Sequence, residues 1–253
     1  MEQSEIIRRI NIFPRWHYQF DLRGNRTPIA DPACVNRHLQ RKPYFFDPLV
    51  KLLGGSLASK RVLDLGCNAG FWSLACIEAG AREVIGIDGR QMHIDQANFV
   101  FDVKGIDLSR YRFIAGNVFD LDFRQFGPFE VVLCLGLMYH VSDPVLLLEK
   151  IAQVNSDILI IDTSFCNVTG SYFQVTREKT TDPRNSLASE LVLLPSKQAI
   201  LDIVRYLGYS AVILKPRMTD YIGAVDYQEG TRRAFWCAKE TLLMNPGVEF
   251  EEM

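Results

Sequence analysis

The chain has 253 residues, 48% of them hydrophobic and 23% charged, which is enough apolar material for one large α/β domain or two small ones. A formal net charge of -2 and a sequence pI near 6.1 disfavour a protein whose affinity comes from phosphate contacts, so a nucleic-acid partner is not the first expectation. No run approaches the ~18 apolar residues of a membrane span, the opening MEQSEIIRRI has acids and no long apolar core of a secretory signal, and six scattered cysteines without a C-x-x-C pair read as buried thiols of a cytoplasmic protein.

Residues 1–46 read as an irregular, aromatic-rich segment, punctuated by Pro14, Gly24, Pro28, Pro32 and Pro43. So aromatic a stretch must pack on something, either the core or a ligand. Asp47-Pro48 reads as an N-cap with proline at the first helical position, and Gly54-Gly55 stops that helix. From Arg61 the pattern alternates. Apolar strands RVLDLG, EVIGID (83–88), YRFIAGNV (111–118), EVVLCLG (130–136) and DILIIDT (157–163) are interleaved with helices FWSLACIEAG, QMHIDQANFVFDVKG and DPVLLLEKIAQ. Continuous apolar runs fit a sheet buried on both faces, and the alternation predicts right-handed βαβ crossovers. Residues 164–195 break the rhythm with a polar stretch expected to be an inserted lid. Helix SKQAILDIVRYLG follows, then two β-rich runs, 209–216 and 232–240, positioned to pair antiparallel. The acidic tail, 241–253, is expected to be mobile. The predicted fold is α/β: a doubly wound, Rossmann-like seven-stranded sheet, mostly parallel with an antiparallel C-terminal strand, filling 47–240 with the insertion at 164–195.

The chemistry concentrates at Arg61–Trp72, RVLDLGCNAGFW. Gly66 and Gly70 bracket a turn where side chains would obstruct a ligand, and a helix starting near Phe71 aims free N–H groups and its positive dipole end at that turn. The spacing is D-x-G-x-N-x-G rather than the dinucleotide G-x-G-x-x-G. Asp88 ends the next strand, 24 residues after Asp64, and is followed by Gly89.

Five βα units, an acidic glycine turn and a closing antiparallel pair resemble the class I S-adenosylmethionine (SAM) methyltransferases. In that resemblance Asp64, Gly66, Cys67, Asn68 and Gly70 form the cofactor turn. Asn68 stands where the family has its middle glycine, and Asn is the residue that best tolerates the left-handed conformation the turn needs. The resemblance implies that Asp88, with Gly89, takes the ribose hydroxyls, that Asn117 and Val118 take the adenine, and that Leu135 lies by the methionine end. The same comparison leaves open a catalytically silent relative, because Asn68 and Asn117 depart from the usual pattern.

Tyr139 and His140, in GLMYHVSDP, follow the fourth strand at the carboxyl edge, where open α/β sheets bind ligands. His140 is the expected general base for a hydroxyl acceptor, and Tyr139 is expected to shape the transfer site. His17 is a second candidate base. Trp16, Tyr18, Phe20, Tyr44, Phe45 and Tyr172 are candidate walls for the acceptor, and Arg177, Glu178 and Lys179 read as a solvated run. Asp162-Thr163 could position an acceptor or, with His140, a divalent metal, for which no ligand set is evident. The run W-H-Y-x-F-D-L with L-M-Y-H is similar to a subgroup near the tRNA wobble-uridine carboxymethyltransferases and small-molecule or sugar O-methyltransferases. There the tyrosine and a C-terminal arginine hold a carboxyl on a modified SAM; Tyr139 matches the first, and Arg232 or Arg233 the second. The W-R-K-G-P segment of the tRNA enzymes is missing. The expected function is therefore methyl transfer from SAM to a hydroxyl of a small molecule, with tRNA wobble-uridine modification as the alternative and a homodimer left open.

Overall fold

The computed structural model describes residues 1–29, 31–241 and 247–251. The central sheet has the order β10-β11-β7-β6-β3-β4-β5. Its strands are β3 (Arg61–Leu65), β4 (Glu83–Asp88), β5 (Tyr111–Ala115), β6 (Phe129–Leu135), β7 (Asn155–Ser164), β10 (Ser210–Ile213) and β11 (Arg232–Ala238). β5, β4, β3, β6 and β7 run parallel to one another, and β11 lies antiparallel between β7 and β10. The chain winds outward from β3 through β4 to β5, then restarts on the other side with β6. The gap between β3 and β6 carboxyl ends is the switch point where such sheets bind ligands.

Side chains alternate along each strand and so serve two cores. Val62, Val84, Leu133, Ile160 and Trp236 face one side, against α4 (Phe71–Glu78) and α5 (Gln91–Lys104). Leu63, Ile85, Val132, Ile161 and Phe235 face the other, against α6 (Pro144–Ala152) and α7 (Lys197–Tyr206). Burial on both faces explains why the strands read as unbroken apolar runs.

The N-terminal 46 residues are more regular than their composition implied. They form α1 (Gln3–Ile12), a small hairpin of β1 (Asp21–Leu22) and β2 (Asn25–Arg26), and α2 (Pro32–Arg41). Asp31 caps α2, accepting from Ala33 N at 2.9 Å, with Pro32 at its first position. The helix does not restart at Asp47. It widens into a π-turn over Lys42–Phe46, where Asp47 N donates to Lys42 O, and runs on as α3 (Asp47–Leu52). Pro43 and Pro48 lack the N–H that a regular helix interior needs, and a widened turn absorbs that mismatch.

Two further expectations change. The insertion contains a β-ribbon, β8 (Phe173–Arg177) with β9 (Leu191–Pro195), so only residues between them form the irregular strap. The tail returns to the sheet edge: Phe250 bridges Leu214, and Glu251 pairs with Lys197 and Arg233. Residues 242–246, 252 and 253 of the expected mobile tail lie outside the described residues. A short helix, α8 (Val225–Gln228), precedes β11.

Candidate active site

The turn after β3 has the geometry its composition predicts. Gly66 (φ 70°) and Gly70 (φ 79°) are left-handed, and so is Asn68 at φ 50°. A side chain on Gly70 would meet Phe101, Phe113 and Ala97 at 3.2 to 3.3 Å, so helix packing reserves that position as much as any ligand does. Asn68 Oδ1 accepts from Ala69 N at 2.8 Å, a local bond that supports the left-handed residue. Gly66 and Asn68 open onto a cavity of about 380 Å³ that runs along the carboxyl edge of the sheet. Asp88, Gly89, Asn117, Val118 and Leu135 also line it.

Asp64, Cys67 and Gly70 do not line the cavity; they lie beneath the turn. Asp64 is 1% exposed and accepts from Ser73 Oγ at 2.6 Å, tying the strand end to α4. Burial pushes its carboxyl up to about 7, against the hydrogen bonds from Ser73. Burial also raises the Cys67 thiol well above its ordinary range, which makes it an inert packing group.

Asp88 is more engaged than a lone ribose-binding acid. Oδ2 accepts from Asn68 N at 3.0 Å, and Oδ1 meets Arg90 N and His93 Nδ1, both at 2.9 Å. A carboxylate has about four acceptor sites, so one remains for an incoming hydroxyl. Asn117 turns its Oδ1 onto Phe119 N at 3.1 Å, an Asx-turn that leaves one lone pair of that oxygen and the amide N–H groups for a base. The strap 178–190 closes over this end. Arg90 donates to the carbonyls of Thr180, Asp182, Pro183, Asn185 and Ser186 at 3.0 to 3.4 Å, and Leu187 lies where a side chain on Gly89 would be.

At the other end, Tyr139 and His140 line the cavity on a short turn after β6. His140 Nδ1 lies 2.7 Å from Glu178 Oε1, while Glu178 Oε2 accepts from Ser186 N at 2.7 Å. Glu178 is no solvated charge: burial would raise its pKa, but His140 and Ser186 hold it below the ordinary value. It fixes the His140 ring and directs the opposite nitrogen away from itself. His17 also lines the cavity, but burial first, then Arg41, push it down to about 3, so it has little basicity to offer.

Behind Tyr139 lies a buried ionic cluster. Asp162 lies two residues before the end of β7 and is fully buried. It accepts from Arg232 Nε at 3.0 Å, from Tyr227 OH at 2.7 Å and from Arg41 Nη2. Burial would raise Asp162, but the two guanidiniums override it and hold the carboxyl at about 2. Arg232 Nη1 also donates to Tyr139 OH at 3.0 Å. Asp162 is thus committed to arginines rather than a metal, and among the described residues no three His, Cys, Asp or Glu side chains converge to hold one. Of the proposed acceptor walls, Trp16, Phe20, Tyr44 and Phe45 belong to the core and Tyr172 is exposed, leaving Tyr18 on the cavity.

Sequence reasoning missed Arg41, His38, Arg90, His93 and Tyr227. Each sits in ordinary helical or loop sequence, and only long-range packing brings it here. Segment 219–226 clamps α2 through Asn36–Asp220, Gln40–Asp220 and Arg37–Asp226 contacts, which aims Arg41 at β7.

The fold and this edge are those of an S-adenosylmethionine-dependent methyltransferase. A family described as "Methyltransferase domain" matches residues 57–201, more than half of the chain, and the chain belongs to it. The N-terminal domain of EvdMO1, solved in the presence of SAH and D-fucose, superposes with a TM-score of 0.70 at 22% identity, covering 94% of this chain and 96% of that one. Magnesium protoporphyrin IX methyltransferase of Synechocystis PCC 6803, with bound SAM, gives 0.59 at 16% identity over 95% and 98% of the two chains. The tRNA U34 carboxymethyltransferase of Glaesserella parasuis is 24% identical over 74% of this chain and 55% of its own length. The ubiquinone biosynthesis O-methyltransferase of Bordetella avium is 37% identical over 95 residues, 38% of each chain. The chain therefore spans about half or less of the length of these curated relatives.

Proposed function

We propose that this protein transfers a methyl group from S-adenosylmethionine to a hydroxyl of a small molecule. The residues present fit the cofactor. Gly66 and Asn68 leave the turn open, Asp88 has one acceptor site for the ribose, and Asn117 and Val118 border the adenine end. Leu135 and Tyr139 then flank the methionine end. When bound, SAM supplies an electrophilic methyl on a sulfonium. The chain itself positions the acceptor and removes its proton. His140 would take the proton of an acceptor hydroxyl on the ring nitrogen opposite Glu178, balancing the methyl that the hydroxyl oxygen gains from the cofactor. Glu178 stabilises the imidazolium that results.

The observation that carries this reading is the Glu178–His140 contact of 2.7 Å at the cavity wall. A hydroxyl must give up its proton as it accepts the methyl, and a positioned histidine supports that acceptor. The EvdMO1 neighbour, solved in the presence of SAH and D-fucose, and the ubiquinone biosynthesis O-methyltransferase relative support a hydroxyl acceptor. The test uses methyl-labelled SAM with a panel of sugars and phenols. Label should enter base-stable ethers, and His140→Ala should bind S-adenosylhomocysteine (SAH) normally while losing turnover. Full turnover in His140→Ala removes the base assignment.

A second reading is favoured by the Tyr139–Arg232 hydrogen bond and by the tRNA carboxymethyltransferase relatives. Incorporation of label from carboxy-SAM into bulk tRNA would establish it in place of the first.

A further inference from the structure

Residues 178–190, EKTTDPRNSLASE, carry Leu187 as their one large apolar side chain. A strap of this composition has no apolar core of its own to fold on. Its ends are closed nonetheless, with Glu178 N donating to Glu190 O at 2.8 Å, which makes it an Ω-loop. What fills it is the side chain of Arg90. Nε donates to Pro183 O at 3.1 Å, and Nη2 faces the carbonyls of Asp182 and Asn185 at 3.0 and 3.1 Å. The carbonyls of Thr180 and Ser186 follow at 3.3 and 3.4 Å. One planar cation, with charge-assisted bonds, takes the place of the packed side chains that usually hold such a loop. The strap's ion pair to Arg15, from Asp182 at 3.4 Å, is longer and partly exposed.

Arg90 is itself fixed from the ribose end. Its backbone N donates to Asp88 Oδ1 at 2.9 Å. Gly89, between the two, lets the strap seat: a Cβ there would lie 2.4 Å from Leu187 Cδ2. Ser186, Leu187 and Ser189 of the strap line the same cavity as Asp88, Gly89 and Asn117.

The strap's first residue makes the second attachment. Glu178 Oε1 meets His140 Nδ1 and Oε2 accepts from Ser186 N, both at 2.7 Å. A carboxylate only accepts, so the neutral ring keeps its proton on Nδ1 and presents Nε2 as the basic nitrogen. Ser186 is buried and joins the two attachments: its N–H is held by Glu178 and its carbonyl by Arg90.

We propose that Arg90 is a positioning residue for methyl transfer: it folds strap 178–190 over the cofactor's ribose end, and through Ser186 the folded strap holds Glu178 on His140. Occupancy at Asp88 and closure of the strap then stabilise each other, so the cofactor is retained by the same event that orients the base. This rests on the reading above, in which Asp88 meets the ribose and His140 is the base. The dependence of the strap on Arg90 is measurable without any acceptor.

The strap carries its own reporters. Lys179 and Arg184 are trypsin sites within it, and His140 is one of four histidines, so its ring can be assigned by nitrogen NMR. In the unmodified protein, saturating SAH should slow cleavage after Arg184 about tenfold, because cleavage needs the strap to open. His140 should carry its proton on Nδ1. Arg90→Gln is too short to reach the strap carbonyls. It should speed cleavage and SAH release about tenfold or more, and move the His140 proton toward Nε2. Arg90→Lys keeps the charge without the planar fork and should recover part of each change. Unchanged cleavage after Arg184 with SAH bound to the unmodified protein overturns the proposal without any variant. So does a folded Arg90→Gln that is cleaved or releases SAH at the parent's rate. Arg90→Gln that opens the strap while His140 keeps its proton on Nδ1 also overturns it, leaving Arg90 no hold on the base. Failure of the underlying reading looks different: no SAH binding at all, or full turnover in His140→Ala. Those outcomes remove the reading and the proposal together, whereas the others remove the proposal alone.

Discussion

Asp162→Asn is the perturbation that the structure prices most directly. The residue is fully buried and holds Arg232 Nε at 3.0 Å, Tyr227 OH at 2.7 Å and Arg41. The amide keeps the shape and one acceptor but removes the only carboxylate shared by two buried guanidiniums. Breaking a buried pair from one side costs about 3–5 kcal/mol, because the other charge stays behind. For a chain of this size that is a fall in Tm of roughly 10 °C. The acid limb gives an independent reading. Asp162 is held at about 2 in the folded state, below the ordinary value of 3.8. Its contribution is therefore complete above about pH 4 and is lost as pH falls through 2, on the order of 2 kcal/mol. Urea unfolding from pH 7 down to the acid transition, on both proteins, measures both numbers. The variant should be less stable at neutral pH and should lose less on acidification. Adding Arg41→Gln should recover part of the loss, because it removes one of the stranded charges. A variant within about 0.5 kcal/mol of the parent, with the same acid slope, would refute the cluster as a stabilising element.

Glu178→Gln should lower methyl transfer about ten- to a hundredfold, by kcat rather than by SAH affinity, and Glu178→Asp should recover part of it; unchanged kcat would leave Glu178 a strap contact only. Asp64 behaves oppositely to Asp162. Its folded value of about 7 lies above the unfolded 3.8, so it lowers stability as pH rises from about 4 to 7, and Asp64→Asn should flatten that slope and gain a few kcal/mol at pH 8, on the order expected from linkage. Identical slopes in urea titrations would mean the buried carboxyl is not raised. Asp88→Ala should weaken SAH by about tenfold or more, measured calorimetrically, since it removes the ribose acceptor and frees Asn68 N; affinity equal to the parent's would move the ribose elsewhere.

The alternation of strands and helices, and the placing of a ligand site at the carboxyl edge, were legible in the sequence because both depend on local pattern. Apolar runs of five to seven residues, separated by helices, allow one doubly wound sheet. Gly66, Asn68 and Gly70 announce left-handed backbone through residue type alone, and Asn68 has it. Tyr139 and His140 follow an apolar strand and therefore had to reach the carboxyl edge. The N-terminal helices were hidden because Pro32 and Pro43 read as breaks, whereas Pro32 starts a helix and Pro43 sits in a widened turn.

What composition and spacing determined, then, is the scaffold and the cofactor turn, since both follow from chain-local rules of periodicity and allowed backbone angles. What only the tertiary structure decided is how distant charges meet. Glu178 reads as part of a solvated run, yet it orients His140 across 38 residues of sequence. Arg41, Asp162 and Arg232 come from three segments separated by 121 and 70 residues, and they meet as buried charges only once packing removes them from water. Coulomb energy in a dry interior depends on three-dimensional distance and burial, and neither can be read from position along the chain.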